Sequence, residues 1–260
     1  MLQKKKILDI RISIGSYNEF VNSIVKLAKT TTSNYVCVVN VHMTVEAHDD
    51  KDFCSIVNNA TIATPDGMPL VIALNKFYDL DQRRVAGMDL FPDLLKVSEK
   101  EGLRVFFYGS TNEVLEAVQN KAKKLFPNLQ IAGSFSPPFR PLTPEEKKHL
   151  VEEIRSVAPN LIFVSLGCPK QERWMAEMHH KINATMIGVG GAFPIFAELQ
   201  KRAPVWMQRL SLEWLYRLLQ EPKRLFRRYA YTNIKFLFLI IYSYFKTKLD
   251  LLSSDRKRHL

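Results

Sequence analysis

From about Ile7 to Val189 the chain alternates short runs rich in β-branched and aromatic residues with longer amphipathic stretches. This alternation limits the fold more than any other feature. The strand-like runs cover residues 7–14, 35–39, 61–63, 105–108, 129–132, 161–165 and 185–189, and the helix-like stretches cover 17–29, 68–76, 90–100, 112–125, 144–156 and 169–181. Strands that alternate with helices imply an α/β fold, a mostly parallel sheet with helices on both faces. Ligands of such sheets bind beyond the carboxyl ends of the strands. The segments to search are therefore Asn40-Val41-His42, Thr64-Pro65-Asp66-Gly67, Gly109-Ser110-Thr111, Gly167-Cys168-Pro169-Lys170-Gln171 and Gly188-Val189-Gly190-Gly191.

After Pro204 the character changes. Residues 205–220 read as one amphipathic helix rich in Trp, Leu and Arg, and Pro222 marks a break or a second helix start. An apolar and aromatic run follows at 236–245, flanked by Lys235, Lys246 and Lys248. Ten such residues fall well short of the roughly 20 that span a bilayer. With basic flanks they suit a segment lying in the membrane interface. Charge divides the same way: residues 201–260 hold 14 Lys and Arg against 4 Asp and Glu, whereas the first 200 hold 23 against 22. We expect a parallel α/β domain over 1–203 and a basic, membrane-associating helical appendage over 204–260. Three widely spaced cysteines (Cys37, Cys54, Cys168) argue against a disulfide framework or zinc site and fit a reducing compartment. A cytoplasmic protein, peripheral on the inner face of the membrane, is the expectation.

The motifs narrow the chemistry. The first strand is followed by Ser13-Ile14-Gly15-Ser16, without the GxGxxG of a nicotinamide enzyme, and there is no GxxxxGK[ST]. Asp79-Leu80-Asp81 could hold a divalent metal, but the triplet arises readily by chance and reads as an exposed loop. His179 and His180 read as the exposed side of their helix. Pro65-Asp66-Gly67 makes a good turn by itself. A carboxylate at a strand end between apolar residues can also act as a general base. Arg84 suits bidentate phosphate binding. Arg217, Arg224 and Arg228 are seven and four apart and would share one face of a regular helix, with Arg227 a near alternative.

The ordered motifs "TPDGMPLV", "RVAGMDL", "VFFYGS", "LGCPKQERWM", "GVGGAF", "KRAPVWMQRLSLEWLYRLLQEPKR" and "RRY" resemble those of the WecG/TagA/CpsF family of bacterial glycosyltransferases. The resemblance implies a Rossmann-like catalytic domain and an inverting, metal-independent transfer from a UDP-sugar, with the N-acetylmannosamine type favoured, and no cofactor. The acceptor implied is an undecaprenyl-diphosphate-linked N-acetylglucosamine, and the products are wall teichoic acid or other surface polysaccharide. Asp66 then matches the catalytic base, and Asn40 a residue beside it that positions the acceptor. Arg217, Arg224, Arg228 or Arg227 would stabilise the leaving diphosphate, with Arg84 assisting. Gly109, Gln171 and the Gly190-Gly191 turn match cleft positions.

Val38, Pro194 and Glu198 depart from the family pattern. Where "GGAF" is commonly followed by Asp and, four residues later, Gly, this chain has Pro194 and Glu198. The rival readings are a hexosyltransferase of exopolysaccharide assembly and a non-catalytic membrane-binding relative. Nucleic acid is disfavoured, because the basic residues interleave with long aliphatic runs. An oligomer is compatible with the Trp-rich appendage.

Overall fold

The computed structural model describes residues 2–210 and 212–258, with side chains through 246 apart from those of Arg209 and Arg224. The chain opens with a hairpin, β1 (Lys4–Ile7) and β2 (Ile10–Ser13), then α1 (Tyr17–Ala28) and β3 (Asn34–Val39). Two short helices, α2 (Val41–Asp49) and α3 (Lys51–Asn59), lead to β4 (Ile62–Pro65), α4 (Met68–Tyr78) and α5 (Gly87–Glu101). Next come β5 (Arg104–Gly109), α6 (Asn112–Leu125), β6 (Gln130–Phe135), α7 (Pro144–Val157), β7 (Leu161–Ser165) and α8 (Lys170–Met178). The chain ends with β8 (Thr185–Gly188), α9 (Ala192–Phe196), α10 (Val205–Arg209), α11 (Glu213–Gln220) and α12 (Pro222–Arg258).

Six strands form one parallel sheet in the order β4-β3-β8-β7-β5-β6. Successive side chains of a strand point to opposite faces, so every central strand feeds two cores. Tyr35, Cys37 and Val39 of β3 join Phe106, Ile162 and Met186 on the face covered by α2, α3, α4, α7 and α8. Val36 and Val38 join Phe107, Phe163 and Ile187 on the face covered by α1, α5, α6 and α9. The α/β fold read from the alternation is the one observed.

Three expectations need correction. Residues 7–14 are not a strand of the main sheet: Leu8 turns at φ 51° and the segment pairs as an antiparallel hairpin of its own. Helices α2 and α3 occupy residues that none of the helix-like stretches covered; Asn40 and Asp50 cap them by accepting from Met43 N and Phe53 N. Residues 205–220 are two helices, α10 and α11, separated near Leu210–Leu212. Arg217 therefore lies on α11 and Arg228 on α12, not on one helix face. Arg224 is also in α12, and its side chain lies outside the described residues.

Helix α12 packs along α2, where Tyr231 and Lys235 both bind the Asp49 carboxylate. Leu225, Thr232 and Phe236 are its buried contacts. No helix among the described residues is long and apolar enough to cross a membrane.

Candidate active site

A cavity of about 850 Å³ opens over the carboxyl ends of β3, β4, β7 and β8 and is roofed by α11 and α12. Each strand delivers its following residues: Asn40 after β3, Asp66 and Gly67 after β4, Gly167 and Cys168 after β7, and Val189 to Gly191 after β8. Gly109, expected in the cleft, does not line it. An added Cβ there would stand 2.5 Å from the Ser165 carbonyl oxygen, and the residue has φ 103°. Close approach of β5 to β7 accounts for that glycine.

Asp66 is half-buried at the cavity floor, its amide held by Val39 O at 2.8 Å. Its carboxylate accepts no hydrogen bond among the described residues. Desolvation raises its pKa from the usual carboxylate range to about 6; the Arg84 and Arg217 charges oppose the rise, and Glu213 and Asp89 add to it. Desolvation wins, so the group is ionised at neutral pH yet basic enough to take a proton. Asn40 lines the same cavity. Its Oδ1 is committed to Met43 N at 3.1 Å, which leaves its amide NH2 to face a substrate.

The cationic groups fall into two kinds. Arg84 donates to Glu213 Oε2 at 2.9 Å, Arg202 approaches Glu213 Oε1 at 3.3 Å, and Arg202 pairs with Asp89 at 2.7 Å. The Arg84 charge is thus already compensated by a buried carboxylate from α11. Arg217 and Arg228 line the cavity with no carboxylate partner among the described residues. Among the described residues Arg217 donates a hydrogen bond only to Met88 Sδ, at 3.4 Å, and it stands close to the Gly191 backbone. The Nε of Arg228 is buried without a hydrogen-bond partner among the described residues. Arg227, the alternative read from sequence, is exposed and lines a smaller neighbouring cavity instead.

Gln171 is buried in the first turn of α8. It accepts from Gly167 N at 3.2 Å and donates to Glu172 at 2.7 Å. A Cβ on Gly188 would meet the Gln171 amide nitrogen at 2.8 Å, so that glycine leaves room for the side chain. Glu172 is fully buried, its Oε2 has no partner, and desolvation lifts its pKa to about 7. Burial, reinforced by the Arg228 charge, lowers the His42 pKa to about 4. His42 is therefore neutral at pH 7, and its 3.7 Å contact with Glu46 is not an ion pair.

The remaining sequence candidates fall outside the cavity. Asp79 and Asp81 are exposed, and Asp79 ends α4 in the left-handed region. Among the described residues no group of three or more His, Cys, Asp or Glu is placed to hold a metal ion. Pro194 sits in the first turn of α9, where a missing N–H costs nothing. Glu198 has φ 61° and pairs with Lys121 at 2.6 Å. His179 does not simply face solvent: it approaches Ser33 O at 3.2 Å and meets the Tyr35 ring edge-on.

Sequence reasoning missed Glu213, Arg202 and Asp89 as partners in the site, since nothing local marks a carboxylate on α11 as bound to Arg84. Glu172 reads from sequence, like Gln171, as a first-turn residue able to point into the cleft; it is instead fully buried against Gln171 and does not line the cavity.

Fold, cleft and relatives together define the class, a glycosyltransferase built on a parallel α/β sheet. The chain belongs to the glycosyl transferase WecG/TagA/CpsF family, which it matches over residues 5–250. It is 34% identical over 206 residues to the N-acetylglucosaminyldiphosphoundecaprenol N-acetyl-β-D-mannosaminyltransferase of Bacillus subtilis (strain 168), covering 77% of this chain and 78% of that protein. The enzymes of the same name from Bacillus spizizenii (strain ATCC 23059 / NRRL B-14472 / W23) and Staphylococcus aureus (strain MW2) are 32% and 30% identical. They cover 73% and 76% of this chain, and 72% and 77% of their own lengths.

Proposed function

We propose that the protein transfers N-acetylmannosamine from its UDP-activated form to N-acetylglucosaminyl-diphosphoundecaprenol, with inversion at the anomeric carbon. The observation that carries this reading is Asp66, a desolvated carboxylate with a pKa of about 6 in the same cavity as two unpaired guanidinium groups. The acceptor hydroxyl attacks the anomeric carbon as Asp66 takes its proton. The carbon–oxygen bond to UDP breaks on the opposite face, and the electron pair leaves with the diphosphate. Arg217, beside the Gly190-Gly191 turn, stabilises that developing charge. Asn40 orients the acceptor hydroxyl through its free amide NH2. Gln171 holds the loop after β7, and Arg84 acts as a strut that ties α11 over the cleft.

The activities for which the relatives are named favour the N-acetylmannosaminyl donor over the hexosyl alternative. We further propose that residues 1–203 carry the sheet and Asp66, while 204–260 cover the site and rest on the cytoplasmic face of the membrane. Trp206, Leu210, Leu219, Phe226, Ile234 and Phe238 are all exposed on that appendage, an apolar surface of the kind that marks interaction sites.

The test is UDP release from a panel of UDP-sugars in EDTA, with and without a prenyl-diphosphate N-acetylglucosamine analogue. Acceptor-dependent release from UDP-N-acetylmannosamine is expected. Release from UDP-glucose alone would select the hexosyl reading, and release that stops in EDTA would reject metal independence.

A further inference from the structure

The cavity that holds Asp66 does not end at the polar site. It continues as a trough between α4 and α12, and the wall changes character along its length. On α12 the lining residues form one broad stripe of two adjacent i, i+4 rows: Arg228 and Tyr229, then Thr232 and Asn233, then Phe236 and Leu237, then Ile240 and Ile241. Along that stripe a cation gives way to small polar groups, and these to continuous hydrocarbon. Facing it, α4 contributes Pro69, Ile72, Ala73 and Phe77, together with the exposed Lys76.

Both helices lead away from Asp66 in the same sense. Met68 and Arg228 line the polar end, and the rings of Phe77 and Tyr244 meet edge-on, 5.8 Å apart, beyond. The rise of a helix makes the trough about 14 Å long on α4 and about 20 Å on α12. Ile72 is 61% exposed and Ile241 47% exposed, so the chain itself leaves these apolar walls uncovered.

We infer that this trough binds the first isoprene units of the acceptor, with the acceptor diphosphate at Arg228 and the sugar at Asp66. The inference rests on the transferase reading above. It commits to this occupant because the polarity sequence of the stripe matches an amphiphile that runs from sugar through diphosphate to hydrocarbon. The unpartnered Arg228 Nε lies where the anion would fall. A nonpolar chain entering here is continuous with the reacting group, which a lipid adsorbed elsewhere on the appendage would not be.

The experiment uses the full chain without vesicles, and N-acetylglucosaminyl diphosphates bearing methyl, geranyl, farnesyl or geranylgeranyl groups below their aggregation limits. Each buried CH2 is worth about fourfold in binding. kcat/KM should therefore climb more than ~tenfold from methyl to farnesyl, then level off once the chain outruns the trough. Ile72→Trp and Ile241→Trp fill the trough and should remove that gain, so that the farnesyl acceptor is used no better than the methyl one. Phe238→Asp changes an exposed residue of α12 outside the trough and should keep the gain.

Indifference to chain length, survival of the gain in both tryptophan variants, or its equal loss in Phe238→Asp would overturn the inference. Calorimetry with farnesyl diphosphate separates the two levels of argument. Binding that Ile241→Trp abolishes, with no turnover of any acceptor, would keep the trough and reject the reaction. Turnover of the methyl acceptor without farnesyl diphosphate binding would do the reverse.

Discussion

Arg84 and Glu213, 129 residues apart in the chain, are joined by a 2.9 Å hydrogen bond that fastens α11 to the sheet side of the cleft. The bond places a negative charge from the appendage among the groups that set the proton affinity of Asp66. In the proposed mechanism, closure and acid–base chemistry are therefore coupled through one carboxylate. In Glu213→Gln the Arg84 charge is no longer neutralised and the repulsion felt by Asp66 disappears. Both changes lower the Asp66 pKa, so the acidic limb of the pH–rate profile should move below that of the native enzyme. A limb that stays put would separate closure from proton transfer.

The native limb itself is predictable. With Asp66 near pKa 6, kcat/KM should rise with pH up to about 6 and flatten above 7, with roughly a tenfold loss at pH 5. Asp66→Asn should fold, bind UDP and lose at least ~10²-fold in turnover. Undiminished turnover in the asparagine variant would remove the general-base assignment.

Arg217 and Arg84 should respond differently to truncation. Arg217→Ala removes a charge with no carboxylate partner, so we expect about 10²-fold loss in kcat and little change in Tm. Arg84→Ala leaves Glu213 short of a partner in a mostly buried setting, so a stability loss on the order of 1–3 kcal/mol should accompany any kinetic effect. Thermal melts beside initial rates distinguish them, and equal Tm losses would contradict the division of labour.

Glu172 and Asp66 both have folded pKa values raised above their ordinary ones, to about 7 and about 6. Their contribution to stability is therefore fully present at low pH and is lost as pH rises through those values. For the fully buried Glu172 the loss is on the order of 2–3 kcal/mol by pH 8. Glu172→Gln should flatten the fall in Tm between pH 5.5 and pH 8, which differential scanning across that range would reveal. An unchanged slope would mean that the carboxyl is ionised and accommodated throughout.

Much of this was legible in the chain because it depends on local patterning. Residues 35–39, 161–165 and 185–189 are short, strongly apolar runs, and those positions are β3, β7 and β8 within a residue or two. The strand-end rule led to Asn40, Asp66 and the Gly190-Gly191 turn, all of which line the cavity. Helices α2 and α3 were not legible, since each is only nine residues long and α2 lacks a clear apolar stripe. Their start signals, Asn40 and Asp50, are capping residues that also suit turns.

Local pattern along the chain was enough for the parallel α/β plan, the carboxylate at the end of β4 and the cationic, aromatic character of the last quarter. Which charges are free and which are spent was decided only by the tertiary structure. Arg84 and Arg217 are the same residue type, yet Glu213 neutralises one and leaves the other facing the cavity. The pKa of Asp66 is likewise a property of the folded surroundings, because desolvation and the neighbouring charges come from segments far apart in sequence. Helical periodicity can place Ile240 and Phe236 on one stripe, but only the packing of α12 beside α4 turns that stripe into the wall of a trough.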